Sequence, residues 1–162
     1  VCPFGNNMCV VKVTGAEILD MLEFFCRHTQ SEYVKDGEAY GEDGNFPQIS
    51  GLKFTVDTSI ESTAEADKAD AFTEVTGARR ISDVMVLKNG EYIPIDVNAT
   101  YTVSSLDYII KNGGCGMLNT LADHELVLDD ALADYQVLIG YIDKLGGDLS
   151  QYKNADGRIT VK

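Results

Sequence analysis

Only two histidines, His28 and His124, occur in 162 residues, and the four cysteines stand apart with no CxxC pair. A hydrolytic metal centre needs several His, Asp or Asn ligands converging on one point, and neither histidine has a partner at useful spacing. The scatter of Cys2, Cys9, Cys26 and Cys115 argues against a zinc cluster. Positive charge is also scarce, with 13 Lys and Arg against 26 Asp and Glu and a net charge of −13. A surface this acidic repels phosphate backbones and anionic lipid, so neither nucleic acid nor a membrane is an expected partner. No apolar run approaches the ~18 residues of a membrane span. No Gly-rich turn matches the Rossmann fingerprint or the P-loop, and no internal repeat is visible.

What is present suits one globular domain. Hydrophobic content of 44% with 24% charged residues is ordinary for a folded chain, and 162 residues can bury roughly two thirds of their unfolded surface. No signal peptide or initiator Met is seen, and VCPFGNNM reads as the start of a piece cut from a longer chain.

Met8 to Val13 has the β-branched content of a strand. Thr14 followed by Glu17 forms a capping-box pattern. Ile18, Leu19, Leu22, Phe25 and Cys26 recur at helical spacing, which predicts an amphipathic helix over 15–28 with Cys26 as a buried structural thiol. Residues 29–45 read as a long polar loop, and 48–57 as a strand with Gly51 marking a bulge. Residues 58–79 lack periodicity and read as an acidic surface excursion carrying at most a helical turn. Ile81, Val84 and Val86 on one arm, Tyr92 and Ile95 on the other, and Asn89-Gly90 between them predict a hairpin. Residues 100–106 form a further strand, leading into KNGGCGML. Leu132, Tyr135, Leu138, Ile139 and Ile142 mark a last amphipathic helix stopped by Gly146-Gly147, and GRITVK closes as a strand. Hairpins mixed with crossovers predict an α+β domain with a mixed sheet and packed helices.

Local chemistry is sparse. His28 falls at a helix C-terminus, where the dipole favours a cation, and His124 sits among acidic residues as a solvated side chain. A nucleophilic Cys115 needs a neighbouring base, and none is local. The many carboxylates form no diagnostic acid–base pair. This chain by itself is therefore not a complete enzyme.

Two stretches carry a resemblance when taken together. VCPFGNNMCVVKVTGAEILDMLE resembles the opening of the C-terminal domain of the 5′-nucleotidase family, which also includes UDP-sugar hydrolases and 2′,3′-cyclic phosphodiesterases. The order that follows is similar too: GNFPQISGLKFTVD, the hairpin, YTVSS, then Asn-Gly-Gly-x-Gly. The resemblance spans about residues 3–161. It implies a single substrate-recognition domain over 1–162, partnered in the same polypeptide by an N-terminal metallophosphoesterase domain. That domain would hold a divalent metal pair and perform hydrolysis, with no cofactor or catalytic residue in this chain. It implies a nucleotide or nucleoside as ligand and an extracytoplasmic location.

By resemblance, Phe4 of the Pro-Phe-Gly turn is a base-stacking aromatic, Asn6 a polar base contact and Gly44 a backbone contact. Another reading makes Phe4 a core anchor of its turn. The second stacking position falls on Ile109, or on Tyr108 if the turn carries one inserted residue. The family usually has Gly-Gly-Asp-Gly, whose Asp accepts from the ribose hydroxyls. Here the position is Cys115, a weak donor and poor acceptor, so the ribose contact is expected to be weakened or lost. Which nucleotide is bound stays open, as does a binding module that kept the fold and lost the ligand.

Overall fold

Thr14 turns the chain from strand to helix. Its hydroxyl accepts from the Glu17 N–H at 3.2 Å while the Glu17 carboxylate accepts from the Thr14 N–H at 2.7 Å, satisfying orphan donors of the helix start. The computed structural model describes residues 2–30, 34, 35, 38, 39, 44–121 and 123–162, excepting the side chains of 34, 35, 38, 39, 118 and 119. In chain order the elements are β1 (Met8–Thr14), α1 (Gly15–Phe25), β2 (Val34–Lys35), β3 (Glu38–Ala39), β4 (Leu52–Val56), β5 (Ala64–Ala66), β6 (Phe72–Val75), β7 (Ile81–Lys88) and β8 (Glu91–Pro94). Then follow β9 (Thr100–Leu106), α2 (Asp107–Ile110), α3 (Leu118–Leu121), β10 (Leu126–Leu128), α4 (Asp134–Lys144) and β11 (Ile159–Val161).

The strands form a three-stranded sheet, β10-β1-β9, and a four-stranded sheet, β11-β4-β7-β8, with β2-β3 and β5-β6 as separate ladders. β11 runs parallel to β4 and the other pairs are antiparallel. The expected mixed-sheet α+β architecture is therefore the observed one. α1 contacts β1 of the first sheet and β7 of the second. Ile18, Met21, Leu22 and Phe24 are buried there with Val11, Val13, Phe54 and Val56. Each such side chain contributes about 1.5–3 kcal/mol by leaving water. Phe24 and Phe72 meet edge-on, with centroids 5.4 Å apart, a favoured aromatic geometry.

One buried carboxylate fastens α1 to the second sheet. Glu23 is fully buried and accepts from the Arg80 N–H at 3.1 Å and the Ile81 N–H at 3.0 Å. The Arg80 guanidinium is buried with it and donates to the carbonyls of Cys26 and Arg27 at 3.1 and 2.9 Å. Those carbonyls belong to the C-cap of α1 and the residue after it, so the arginine holds the exit of the helix.

Several boundaries differ from the sequence reading for local reasons. α1 ends at Phe25 rather than 28, with Cys26 as its C-cap, fully buried as expected. Strand structure begins at Leu52, and Gly51 precedes it at φ +77°. The bulge lies instead in β7, where Asp83 at φ +53° is the extra residue between the Lys53–Met85 and Thr55–Ser82 pairs. That bulge explains why Ile81, Val84 and Val86 are all buried despite spacings of three and then two. Residues 58–79 carry the β5-β6 hairpin and no helical turn; its strands are mostly exposed, so they show no apolar alternation. The predicted 29–45 loop instead contains the short β2-β3 ladder, and nine of its residues lie outside the described ones. The Asn89-Gly90 hairpin forms as expected, with φ +53° and +87°. α4 also forms and stops at the two glycines, but Tyr135, Leu138 and Ile139 of its apolar face are exposed. No described helix is long and apolar enough to cross a membrane.

Replacing Glu23 with Gln leaves one carbonyl oxygen for two buried N–H donors. Glu23→Gln should cost about 2 kcal/mol and Glu23→Ala about 3–5 kcal/mol, read from urea midpoints with the slope unchanged.

Candidate functional site

β1 is the middle strand of the first sheet, and the chain just before it is held on both sides. The turn Pro3–Asn7 rises from its N-terminal end, with Gly5 at φ +64°. On one side Asn7 bridges Ala133, Met8 N–H donates to the Leu132 carbonyl at 2.8 Å, and Asp134 N–H donates to the Asn6 carbonyl at 2.9 Å. On the other side Asn7 faces Asp107, where β9 becomes α2. Asp107 N–H donates to the Asn7 carbonyl at 2.8 Å, and Asp107 Oδ1 accepts from the Asn7 N–H at 3.2 Å. The same Oδ1 accepts from the Tyr108 N–H at 2.8 Å. The turn and the start of α2 are thus one hydrogen-bonded unit.

Two aromatic rings stand on that unit. Phe4 is 85% exposed and Tyr108 50% exposed. Such exposure rules out the core-anchor role for Phe4. Tyr108 is supported from beneath: a Cβ at Gly114 would overlap its ring atoms Cδ1, Cε1 and Cζ. One side of the ring therefore lies on bare backbone. Ile109, the alternative stacking position, is partly buried against the core. Asn6 is half-buried at the base of the turn.

The turn after α2 is shaped by packing on both sides. Gly113 and Gly116 adopt φ +73° and +77°, and Cys115 between them is at φ +55°, a region that non-glycine residues other than Asn and Asp seldom occupy. A side chain at Gly116 would lie 2.5 Å from the Asp70 carbonyl and 2.6 Å from the Phe24 ring. Arg27 reinforces that contact, its guanidinium 3.8 Å from the Phe24 centroid and 2.9 Å from the Asp70 carboxylate. Gly44, Ile109 and Cys115 line a cavity of about 260 Å³ with Leu22, Phe25 and Val103. The expected site residues therefore fall into two groups: Phe4, Asn6 and Tyr108 on the surface, and Gly44, Ile109 and Cys115 at the cavity.

The far end of α2 is tied as well. Lys111 Nζ lies 2.7 Å from Asp129 and 2.9 Å from Asp130. Hydrogen bonds to Asp129 and then Asp130 push the Lys111 ammonium above its usual range, and the Lys111 bond holds the Asp129 carboxyl below its own. The buried Cys9 thiol donates to the same carboxylates at 3.6 and 3.8 Å. Cys9, Asp129 and Asp130 are within 4.8 Å of one another, but the lysine already supplies their positive charge. His124 is not simply solvated: its Nε2 lies 2.8 Å from Glu17 Oε1. Burial disfavours the charged form of Glu17, yet donors from Thr14 and then His124 outweigh it and hold the carboxyl below its usual range.

Sequence reasoning passed over Asp107, Asn7 and Lys111. Their contacts are mainly with backbone and with distant carboxylates, which leave no spacing to read. An Asp between a strand and a helix is the faint signal that was available.

The family model of the 5′-nucleotidase C-terminal domain matches residues 1–123. Protein 5NUC of Lutzomyia longipalpis is 30% identical over 99% of this chain, which spans 24% of that protein. The trifunctional nucleotide phosphoesterase protein YfkN of Bacillus subtilis is 26% identical over 98% of this chain, which covers 9% of its length. The crystal structure of the 5′-nucleotidase precursor from Thermus thermophilus superposes with a TM-score of 0.68 at 27% identity, over 98% of this chain and 26% of that one. The chain thus spans about a quarter or less of the relatives it matches.

The two glycines should respond differently to alanine. Gly114 has ordinary backbone and its neighbour is a movable ring, so Gly114→Ala should shift the Tyr108 ring resonances with a stability change within about 1 kcal/mol. Gly116 has positive φ and a backbone carbonyl against it, so Gly116→Ala should cost about 2–4 kcal/mol. Paired urea titrations and aromatic NMR spectra check both.

Proposed function

This chain belongs to the 5′-nucleotidase C-terminal domain family, and on that premise we propose that it is the nucleoside-recognition domain of a metal-dependent nucleotide phosphoesterase. The observation that carries the reading is the hydrogen-bonded unit presenting the exposed Phe4 and Tyr108 rings. A purine or pyrimidine between two aromatic faces gains roughly 1–3 kcal/mol per stack. The Asn6 amide and the Gly44 backbone supply polar contacts that orient a base. Tyr108, and not Ile109, is the second stacking face in this reading, because Ile109 is partly buried against the core.

The whole 162-residue chain acts as one recognition unit. Hydrolysis would fall to an N-terminal metallophosphoesterase domain of the same polypeptide, whose divalent metal pair would supply an activated water. Two of the relatives are named as a nucleotide phosphoesterase and a 5′-nucleotidase, and this chain spans about a quarter or less of each, which supports a further domain for the chemistry. An extracytoplasmic, secreted or periplasmic role in nucleotide catabolism, which the resemblance implies, is part of the same proposal. A second reading, a binding or surface-interaction module that has lost its nucleoside, is favoured by one observation. Cys115 stands at the position expected to read the ribose and offers it only a thiol.

Adenosine added to this chain should shift the amide resonances of Phe4, Asn6, Gly44 and Tyr108, and Phe4→Ala should reduce the affinity by about tenfold, one lost stack. No AMP hydrolysis is expected from the chain alone with added divalent metal. Cys115→Asp should tighten adenosine by about fivefold or more, through charged hydrogen bonds worth roughly 1.5–3 kcal/mol before solvent screening, and 2′,3′-dideoxyadenosine much less. Shifts confined to other residues, or equal gains for both sugars, would favour the second reading.

A further inference from the structure

We propose that Asp107 is a positioning residue that fixes the Phe4 turn relative to the Tyr108 ring, an inference that rests on the nucleoside-recognition reading. The turn needs such a device. Pro3, Phe4 and Gly5 are all exposed, so little side-chain packing holds them in place. Their position is set by hydrogen bonds at the base of the turn, and those on the Tyr108 side all involve Asp107.

The geometry is economical. A single oxygen, Asp107 Oδ1, accepts from the Asn7 N–H at 3.2 Å and the Tyr108 N–H at 2.8 Å. The Asp107 N–H donates back to the Asn7 carbonyl at 2.8 Å. Asp107 thus extends the β1–β9 ladder by one residue, its register continuing from the Met8–Leu106 pair. Its carbonyl also accepts from the N–H groups of Lys111 and Asn112, at 2.8 and 3.2 Å. One residue therefore fixes the strand end, the helix start and the approach to the Gly-Gly-Cys-Gly turn.

Fixing matters because stacking is short-ranged. Each face must meet the base at about 3.5–4 Å, and a gap of 0.5–1 Å forfeits a quarter to a half of the attraction. A turn free to sway on its stem would lose most of one stack. Neither exposed ring touches a counterpart that could substitute for this anchor: the ring pairs among the described residues are Phe24–Phe72 and Tyr141–Tyr152.

The test uses three variants of this chain with two readouts, adenosine titration and amide hydrogen exchange. Asp107→Asn keeps an Oδ1 acceptor for both N–H groups. Asp107→Ala removes it, and Asp107→Ser keeps a hydroxyl for the helix start that is too short to bridge to Asn7. Asn7 exchange should quicken about tenfold or more in the Ala and Ser variants, while Val11 and Val13 in the β1–β9 ladder keep their protection. The Asn variant should stay near the parent. Adenosine Kd should rise about tenfold in Ala and Ser and change by no more than about twofold in Asn, following the loss or retention of one well-placed stack.

Unchanged Asn7 exchange or unchanged affinity in both Ala and Ser would overturn the proposal, as would an Asn variant as weak as Ala. If Asp107→Ala does not fold, the Ser and Asn pair decides the matter by the same comparison. If the parent chain shows no adenosine shifts, the nucleoside reading fails. The exchange measurements then still decide whether Asp107 fixes the turn.

Discussion

The Glu23 carboxylate holds the two sheets together. α1 leaves β1 directly and so belongs covalently to the three-stranded sheet, whereas β7 is the central partner of β4 and β8 in the other. Packing alone would let the helix slide on β7, because apolar contacts are non-directional. Two oxygens accepting from two consecutive N–H groups allow one position only. Arg80 completes the arrangement by donating to the Cys26 and Arg27 carbonyls at the exit of α1. The carboxylate and the guanidinium Nη1 are thereby partnered by peptide groups, while the buried Arg80 Nε has no hydrogen-bond partner among the described residues. Such a network is costly to half-satisfy, which makes the helix position close to all-or-none.

That position reaches the site through Phe24. The residue after Glu23 carries its ring to Phe72 of the β5-β6 hairpin and to Gly116 of the turn. Asp70, in the hairpin, places its carbonyl against the same glycine. The turn holding Cys115 is therefore seated on the helix that Glu23 locates. From the other direction, β1 carries the Phe4 turn at its start and pairs with β9, which runs into α2 and Tyr108. Two independent supports, one from the core and one from the sheet edge, converge on α2.

What could be read from the sequence was what is encoded locally. The Thr14–Glu17 box, the Asn89-Gly90 turn and the apolar rhythm of residues 8–26 each name their structure within a few residues. Mixed sheets and the 5′-nucleotidase C-terminal domain fold followed from their order. The Asp83 bulge was hidden because an αL Asp looks like any polar strand residue; only the three-then-two spacing of Ile81, Val84 and Val86 betrayed it. The β5-β6 hairpin was missed because its strands are mostly exposed and show no alternation. At the candidate site, the resemblance picked out Phe4 and left Ile109 and Tyr108 as alternatives, of which Tyr108 is the exposed one. Asp107 could not be named, since its work is done on backbone N–H groups a hundred residues apart in sequence. The exposure of α4 was equally illegible, because an apolar stripe predicts burial and says nothing of where the covering surface lies.

The glycines around Cys115 then acquire a different meaning from the one a motif suggests. Gly114 is bare so that the Tyr108 ring can lie on it, and Gly116 is bare because the Asp70 carbonyl and the Phe24 ring occupy the space of a side chain. Both demands come from packing and persist whether or not a ligand ever arrives. Only the residue between them can vary, and it sits at φ +55°, where Asp or Asn is far more at ease than a cysteine. A cysteine there gives up that backbone comfort. The Gly-Gly-x-Gly frame therefore records the seat of an aromatic ring, whichever residue stands at x.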